Sequence, residues 1–248
     1  MSSMSRRIEA CTIEYAFRTL QKYDLHTQGV RVGFKRSTPI PAALAQAPLK
    51  TIRPRDAAAV YAHPRPQLVR LAEQGLLHRL ADGYYAVVPQ EMVGRRWIPN
   101  LESAAAGIAT AIYGFDNISV MGVSAARLHG VMPRALATAI VAVPRQHRPI
   151  ELSDRTAIVR LVRRETSSLD VERIGTELGP ALVTTPEQTV LDLAHRPTLG
   201  NNEADVPDAV VALYARSDKR RLQRLAAEQR RLASLRRAES WAGVDRES

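Results

Sequence analysis

Cysteine is nearly absent: Cys11 stands alone among 248 residues. A single thiol excludes an internal disulfide and any cysteine-rich zinc site. Long apolar runs are missing too, and the uncharged stretches are too short to span a bilayer. No secretory signal is recognised, so the chain is expected to be cytoplasmic, with no membrane among its partners. No glycine-rich phosphate loop, no His-x-x-x-His pair and no metal-like set of carboxylates occurs, and the six histidines are scattered. Neither a metal nor a small-molecule cofactor is therefore expected. A nuclease would need an acidic cluster beside a lysine, yet beyond residue 40 the lysines are Lys50 and Lys219, neither so placed. The chain is read as a protein without catalysis. No repeat at periods of about 20–50 residues is found, which excludes a solenoid.

Positive charge is what the chain has in excess. A net charge of +10 points to a polyanionic partner without locating it. Residues 1–99 hold 15 Lys and Arg against 7 Asp and Glu, residues 100–198 hold 10 of each, and residues 199–248 hold 10 against 8. The excess lies in the first hundred residues.

Residues 51–89, TIRPRDAAAVYAHPRPQLVRLAEQGLLHRLADGYYAVVP, read as two short helices and a β-hairpin, the layout of a winged helix-turn-helix. The first helix is expected after Arg53, with Pro54 at its first position, where a missing N–H costs nothing. Asp56 in its first turn suits the helix dipole. Pro64 and Pro66 can open a helix but not sit inside one, so a second helix begins there and runs to about Gly75. Leu68, Leu71 and Ala72 make its buried face. Gln67, Arg70 and Gln74 recur at the same steps on another face, joined near the N-terminus by His63 and Arg65. Asp82-Gly83, between apolar runs at 76–80 and 84–88, is a hairpin turn. In the major groove arginine reads guanine and glutamine reads adenine, so the polar face is the candidate for base contact. Arg79 on the wing would hold a phosphate, giving register rather than sequence. Arg53 and Arg55 complete the candidate DNA-binding set. An amphipathic helix with an ordinary solvated face gives the same pattern, and the charge distribution favours the DNA reading.

The fold class expected is α+β: a winged helix-turn-helix, then a mixed α/β domain, then C-terminal helices. Residues 1–38 form an extension in which 6–23 suit a helix and a basic stretch follows. The winged module fills residues 39–92, opened within residues 39–50 by a short helix that Ala42, Ala43, Leu44 and Ala45 suggest and that closes near Pro48. The mixed domain occupies residues 93–200 and the helical segment residues 201–248. A small-residue helix is expected over 101–115, built for close packing, and a strand over 117–121. A short helix over 122–130 ends at Gly130, and apolar strands follow at 139–143, 157–162 and 181–184. Thr185 should cap a helix that starts at Pro186, with Gln188 completing a capping box. Two further helices cover 206–215 and 219–240, the second with Leu222, Leu225, Gln229 and Leu232 inward and arginines outward.

Gly122-Val123-Ser124-Ala125-Ala126 partly matches a nucleophile elbow, with His129 nearby. Five helical residues turn about 500°, which leaves Ser124 and His129 roughly 140° apart on the cylinder. Ser124 is better read as a helix cap.

The order of three segments carries a resemblance: the winged helix ending RLAEQGLLHRLADGYYAVVP, then GVSAARLHG, then LVTTPEQTVLDLA. Together they span about residues 40–198, and the chain resembles the AbiEi-type antitoxins of type IV toxin–antitoxin systems. The resemblance implies an N-terminal domain that binds a double-stranded DNA operator at inverted repeats and represses the antitoxin's own operon. It implies also a C-terminal domain opposing a cognate nucleotidyltransferase-like toxin. Contact with that toxin is favoured over action on its product, with the helices at 101–115 and 219–240 as docking surfaces. The acids Glu102, Glu165, Glu172 and Glu177 are taken as exposed and able to face a basic groove. Two alternatives stand beside this reading: an endonuclease of the short-patch-repair kind, and a plain winged-helix transcription factor.

Overall fold

Prolines set the opening of the described chain. In the computed structural model, residues 40–132 and 134–244 are described, and the helix expected over 6–23 lies outside them, as does the basic stretch after it. Pro41 precedes helix α1 (Ala42–Ala45), and a single 3-10 turn follows at Pro48–Lys50. Strand β1 (Thr51–Ile52) then pairs antiparallel with a later strand, Thr51 opposite Ala86. No strand was expected here, because two residues carry no period of their own.

The helix expected after Arg53 is absent. Residues 54–60 form a run of turns whose backbone bonds alternate between three- and four-residue steps, such as Asp56 N–H to Arg53 O and Tyr61 N–H to Ala57 O. The Asp56 carboxylate also accepts the Arg53 N–H at 2.9 Å, closing a local loop that competes with a regular helix start. Helix α2 (Pro64–Glu73) follows with Pro64 at its first position, as the sequence predicts. Leu68 and Leu71 are fully buried and Ala72 partly so. Strands β2 (Leu77–Ala81) and β3 (Tyr84–Val87) form the hairpin, and Gly83 holds the left-handed conformation (φ 75°) that its turn requires.

Strand β3 is buried on both sides. Tyr85 and Val87 join a small core with Leu44, Ile52, Leu68 and Leu71, while Ala86 joins the main core of the molecule with Leu80 and Ala81. Successive side chains of a strand point to opposite faces, so the hairpin is wedged between α2 and the rest of the chain. All of these residues lie within one compact unit.

The rest of that unit is built on a six-stranded mixed sheet in the order β6-β7-β5-β4-β9-β8. Its strands are β4 (Ser119–Val120), β5 (Thr138–Val143), β6 (Ile150–Glu151), β7 (Ile158–Arg163), β8 (Val171–Thr176) and β9 (Gly179–Thr184). β5 pairs parallel with β7 and β4 parallel with β9; the remaining pairs are antiparallel. All six residues of β5 are buried, so both faces of the sheet's centre are covered. Helices α3 (Leu101–Tyr113), α4 (Gly122–Leu128) and α5 (Pro186–His195) pack on these central strands. The alternating strands β6 and β8 have no counterpart in the sequence reading, being short or half-exposed.

Asn100 caps α3 by accepting the Ser103 N–H at 2.7 Å. Every residue from Leu101 to Thr110 is buried, which corrects the expectation that this helix offers a docking surface. It is core, and its small residues admit the neighbouring chain. Glu102, expected to be exposed, is 2% exposed, with the Arg127 Nε 3.2 Å from its carboxylate. Burial pushes its carboxyl above the usual range, against the pull of a backbone hydrogen bond and of Arg127.

Helix α5 is the hub, packing against α4, α6 (Val206–Arg216), α7 (Lys219–Glu228) and α8 (Leu232–Trp241). Thr185 caps it by accepting the Gln188 N–H at 3.3 Å. The expected capping box does not close, because the Thr185 N–H goes to Asp170 O and the Gln188 side chain reaches Asp192 and Gln229. The single helix expected over 219–240 is two. Arg230 turns left-handed (φ 55°), and the Arg231 N–H closes back on Ala226 O, ending α7 as a glycine usually would. Leu222 and Leu225 face the core as expected, but past the break Leu232 is 53% exposed. Among the described residues no helix is long and apolar enough to cross a membrane.

Candidate nucleic-acid interface

Helix α2 and the hairpin leave an open cleft of about 730 Å³ between them. Arg53, Arg55, Arg65 and Arg79 all line it, with Val69, Asp82, Tyr84 and Tyr85. Four of the eight sequence-derived residues therefore meet at one place. The other four, His63, Gln67, Arg70 and Gln74, do not line this cleft. Helical geometry explains the division. Measured from the centre of the buried face, Arg70 projects roughly 150° away, while Arg65 and Gln67 sit about 70° and 90° off on opposite flanks. Arg70 and Gln74 are exposed and Gln67 is half-buried. The structure thus offers one flank of α2 to the hairpin and leaves Arg70 near the middle of its outward face.

Electrostatics within the cleft are loosely balanced. The Arg53 guanidinium makes two bonds to the Asp56 carboxylate, at 3.1 and 3.2 Å, and Arg55 lies 3.7 Å from the same group. Arg79 holds Asp82 at 2.7 Å, with Asp82 fully in solvent. Exposed pairs of this kind contribute at most about 1 kcal/mol, so an arriving phosphate can displace them. Among the described residues neither Arg65 nor Arg70 is engaged by a carboxylate. Burial raises the Tyr84 phenol above its ordinary value, and Arg53 and Arg55 pull it back. The hydroxyl therefore stays protonated as a donor at the rim. Sequence reasoning passed over Tyr84 and Tyr85; their place directly after the hairpin turn, opposite Arg79, was the available signal.

A second set of contacts fixes the hairpin to the large sheet. His78 on β2 is bonded to Asp154 at 2.7 Å, and Arg155 grips the same carboxylate at 2.8 and 2.9 Å while donating to Pro99 O. Trp97 meets the His78 ring edge-on at 5.9 Å, and the Ser153 N–H donates to Leu80 O. Burial alone would raise the Asp154 carboxyl, but the bonds from Arg155 and His78 outweigh it and hold it below the usual range. Its stabilisation is complete above the unfolded carboxyl value of about 3.9 and is lost as pH falls through the lower folded value. Asp154→Asn should cost about 2 kcal/mol in urea unfolding at neutral pH. The variant should also show a flatter stability profile in the acid range. An unchanged midpoint and an unchanged acid limb would mean that this anchor carries no weight.

Ser124 and His129 are engaged separately. The buried Ser124 hydroxyl accepts the Ile140 N–H at 2.9 Å, tying α4 to β5, so it is not the helix cap expected. His129 is bonded to Thr184 O at 2.8 Å. Glu165, Glu172 and Glu177 are exposed, and Glu177 accepts the Asn100 N–H. Among the described residues no group of three or more His, Cys, Asp or Glu side chains is placed to hold a metal ion.

Comparison with known proteins places this architecture. The RV2827C protein of Mycobacterium tuberculosis shares the fold, at 20% identity and a TM-score of 0.52, over 78% of this chain and 71% of that one. An antigenic nucleotidyltransferase-like protein of Paracoccidioides brasiliensis aligns at 11% identity over 57% of this chain and 95% of that one, with a TM-score of only 0.32. No curated protein matches the chain. The family described as the AbiEi antitoxin C-terminal domain matches residues 118–241, half of the sequence, from β4 to the end of α8. The chain belongs to the AbiEi antitoxin family.

Proposed function

We propose that the chain is an antitoxin that represses its own operon. Residues 39–92 act as a winged helix-turn-helix on double-stranded DNA, and residues 93–248 oppose a cognate nucleotidyltransferase-like toxin without chemistry of their own. The observation that carries the DNA half is the meeting of Arg53, Arg55, Arg65 and Arg79 in the cleft between α2 and the hairpin. Such a cleft follows a phosphate backbone while Arg70, and Gln67 and Gln74 beside it, enter the major groove. Inverted repeats in the operator then match two copies of the module. The toxin half rests on the family. Contact with the toxin falls to the exposed acids Glu165 and Glu172 and the outward arginines of α7, since α3 is interior.

The test is a titration of the full chain on DNA from upstream of its own gene, with single base substitutions and several salt concentrations. Arg70→Ala should cost about 1–3 kcal/mol at one base pair and relax preference there. Arg79→Ala should weaken all sequences alike and lower the salt slope by about one ion. If Arg79→Ala alters sequence preference while Arg70→Ala and Gln67→Ala are silent, α2 is not the reading helix.

A further inference from the structure

The C-terminal end of α5 gathers more cations than the fold neutralises. Arg164, just past β7, meets Asp192 at 2.9 Å. Arg237 on α8 donates to Ala194 O at 2.7 Å. Arg196 is the residue that ends α5, and Arg231 comes from the turn between α7 and α8. Among the described residues the guanidiniums of Arg196 and Arg231 make no hydrogen bond or ion pair. Among the described residues Asp192 is the carboxylate ion-paired with this group; it is buried, and its second oxygen accepts no hydrogen bond.

The charges do not cancel. Four guanidiniums face one carboxylate and about half a negative charge from the helix end, leaving a surplus of about two to three positive charges. The neighbours register it. Burial, then the charges of Arg231, Arg164, Arg196 and Arg237, pull the His195 imidazole below its ordinary range. Burial, then Arg164, also lowers Arg231. Capping of α5 explains Arg237, and the buried ion pair explains Arg164. Neither explains why Arg196 and the half-buried Arg231 are placed beside them.

We propose that this end of α5 is a binding site for a small polyphosphate, inorganic pyrophosphate or the phosphate chain of a nucleoside triphosphate, held by Arg164, Arg196, Arg231 and Arg237. A terminal phosphate carries roughly two negative charges, which matches the surplus. Guanidiniums present planar pairs of donors to phosphate oxygens. A duplex is a poorer fit, because its singly charged phosphates are strung along a surface and a partly buried cluster reaches few of them. The site lies on elements other than the α2–hairpin cleft, so it does not depend on the DNA-binding reading.

The experiment titrates the full chain with pyrophosphate and, separately, with a nucleoside triphosphate at fixed ionic strength. Calorimetry reads affinity, and the His195 ring resonance reads the site. Both ligands should bind, and binding should raise the His195 pKa by offsetting the surrounding cations. A triphosphate that binds much more tightly than pyrophosphate identifies the nucleotide as the source, and equal affinities identify free pyrophosphate. Arg196→Gln, at an exposed position, and Arg196→Gln with Arg231→Gln should each remain folded and lose affinity, the pair by about tenfold or more. Arg65→Gln, in the cleft, should leave it unchanged. The proposal is overturned if neither ligand binds at millimolar concentration, or if Arg65→Gln rather than the α5 variants abolishes binding. It is equally overturned if the α5 variants weaken duplex DNA alone and the His195 resonance ignores pyrophosphate.

Discussion

Arg164→Met should destabilise the chain by about 3–5 kcal/mol at neutral pH, the largest single effect expected away from the hydrophobic core. The substitution leaves the Asp192 carboxylate buried without its guanidinium, and the remaining partner, Gln188 at 3.3 Å, is neutral. Burial already pushes the Asp192 carboxyl above its usual range even with Arg164 beside it. A carboxyl whose folded value is raised opposes folding as pH climbs past its unfolded value near 4, and does so least when protonated. The difference between wild type and Arg164→Met should therefore shrink as pH is lowered towards that raised value. Arg164→Met combined with Asp192→Leu should recover most of the loss, since replacing both members of a buried pair by apolar groups is often neutral. Urea unfolding at two pH values decides it. A cost below about 1 kcal/mol at neutral pH would mean that water reaches Asp192 and the pair is not buried.

What could be read in the sequence was whatever is decided within a few residues. The prolines at the start of α2, Asp82-Gly83 in the hairpin and Thr185-Pro186 at the start of α5 each act locally, and each stands where the sequence predicts it. What depends on distant partners was not legible. Strand β1 exists because β3 pairs with it, and Glu102 is buried because Arg127 reaches it from α4. His78 and Asp154 are 76 residues apart in sequence and meet only through the fold. The break at Arg230 hid because the sequence offers no glycine there, and the left-handed turn falls to an arginine. For the candidate site, periodicity grouped as one set residues of α2 that stand on two flanks, since Arg65 and Gln67 lie on opposite sides of the buried stripe. Counting charge by segment found the basic N-terminal part and concealed the arginines around α5. A balance of 10 against 10 over residues 100–198 says nothing about where the members stand.

The close approach between α3 and β1 makes the second large prediction. A Cβ added at Gly107 would overlap Thr51 Oγ1, come within 3.1 Å of Thr51 Cβ and touch Leu178 at 3.5 Å. Thr51 cannot swing clear: it is 3% exposed, and its hydroxyl donates to Leu49 O at 2.8 Å. Gly107→Ala must therefore push β1 outward, and with it β3 and the face of the hairpin that enters the main core. Overpacking of this kind costs about 1–3 kcal/mol, although alanine is by itself about 1 kcal/mol better than glycine inside a helix. Thr51→Ala removes the obstructing oxygen and forfeits one hydrogen bond, about 1 kcal/mol. In that background the Gly107→Ala substitution should become neutral or stabilising. The double-mutant cycle should thus return a coupling of about 2 kcal/mol, with the sign of Gly107→Ala reversing between the two backgrounds. On the proposed DNA-binding reading, Gly107→Ala should also weaken operator binding without changing base preference, because the cleft moves while its side chains remain. If Gly107→Ala is silent in both backgrounds, α3 and β1 are not packed against each other as the fold has them, and the hairpin is free to move independently of the large sheet.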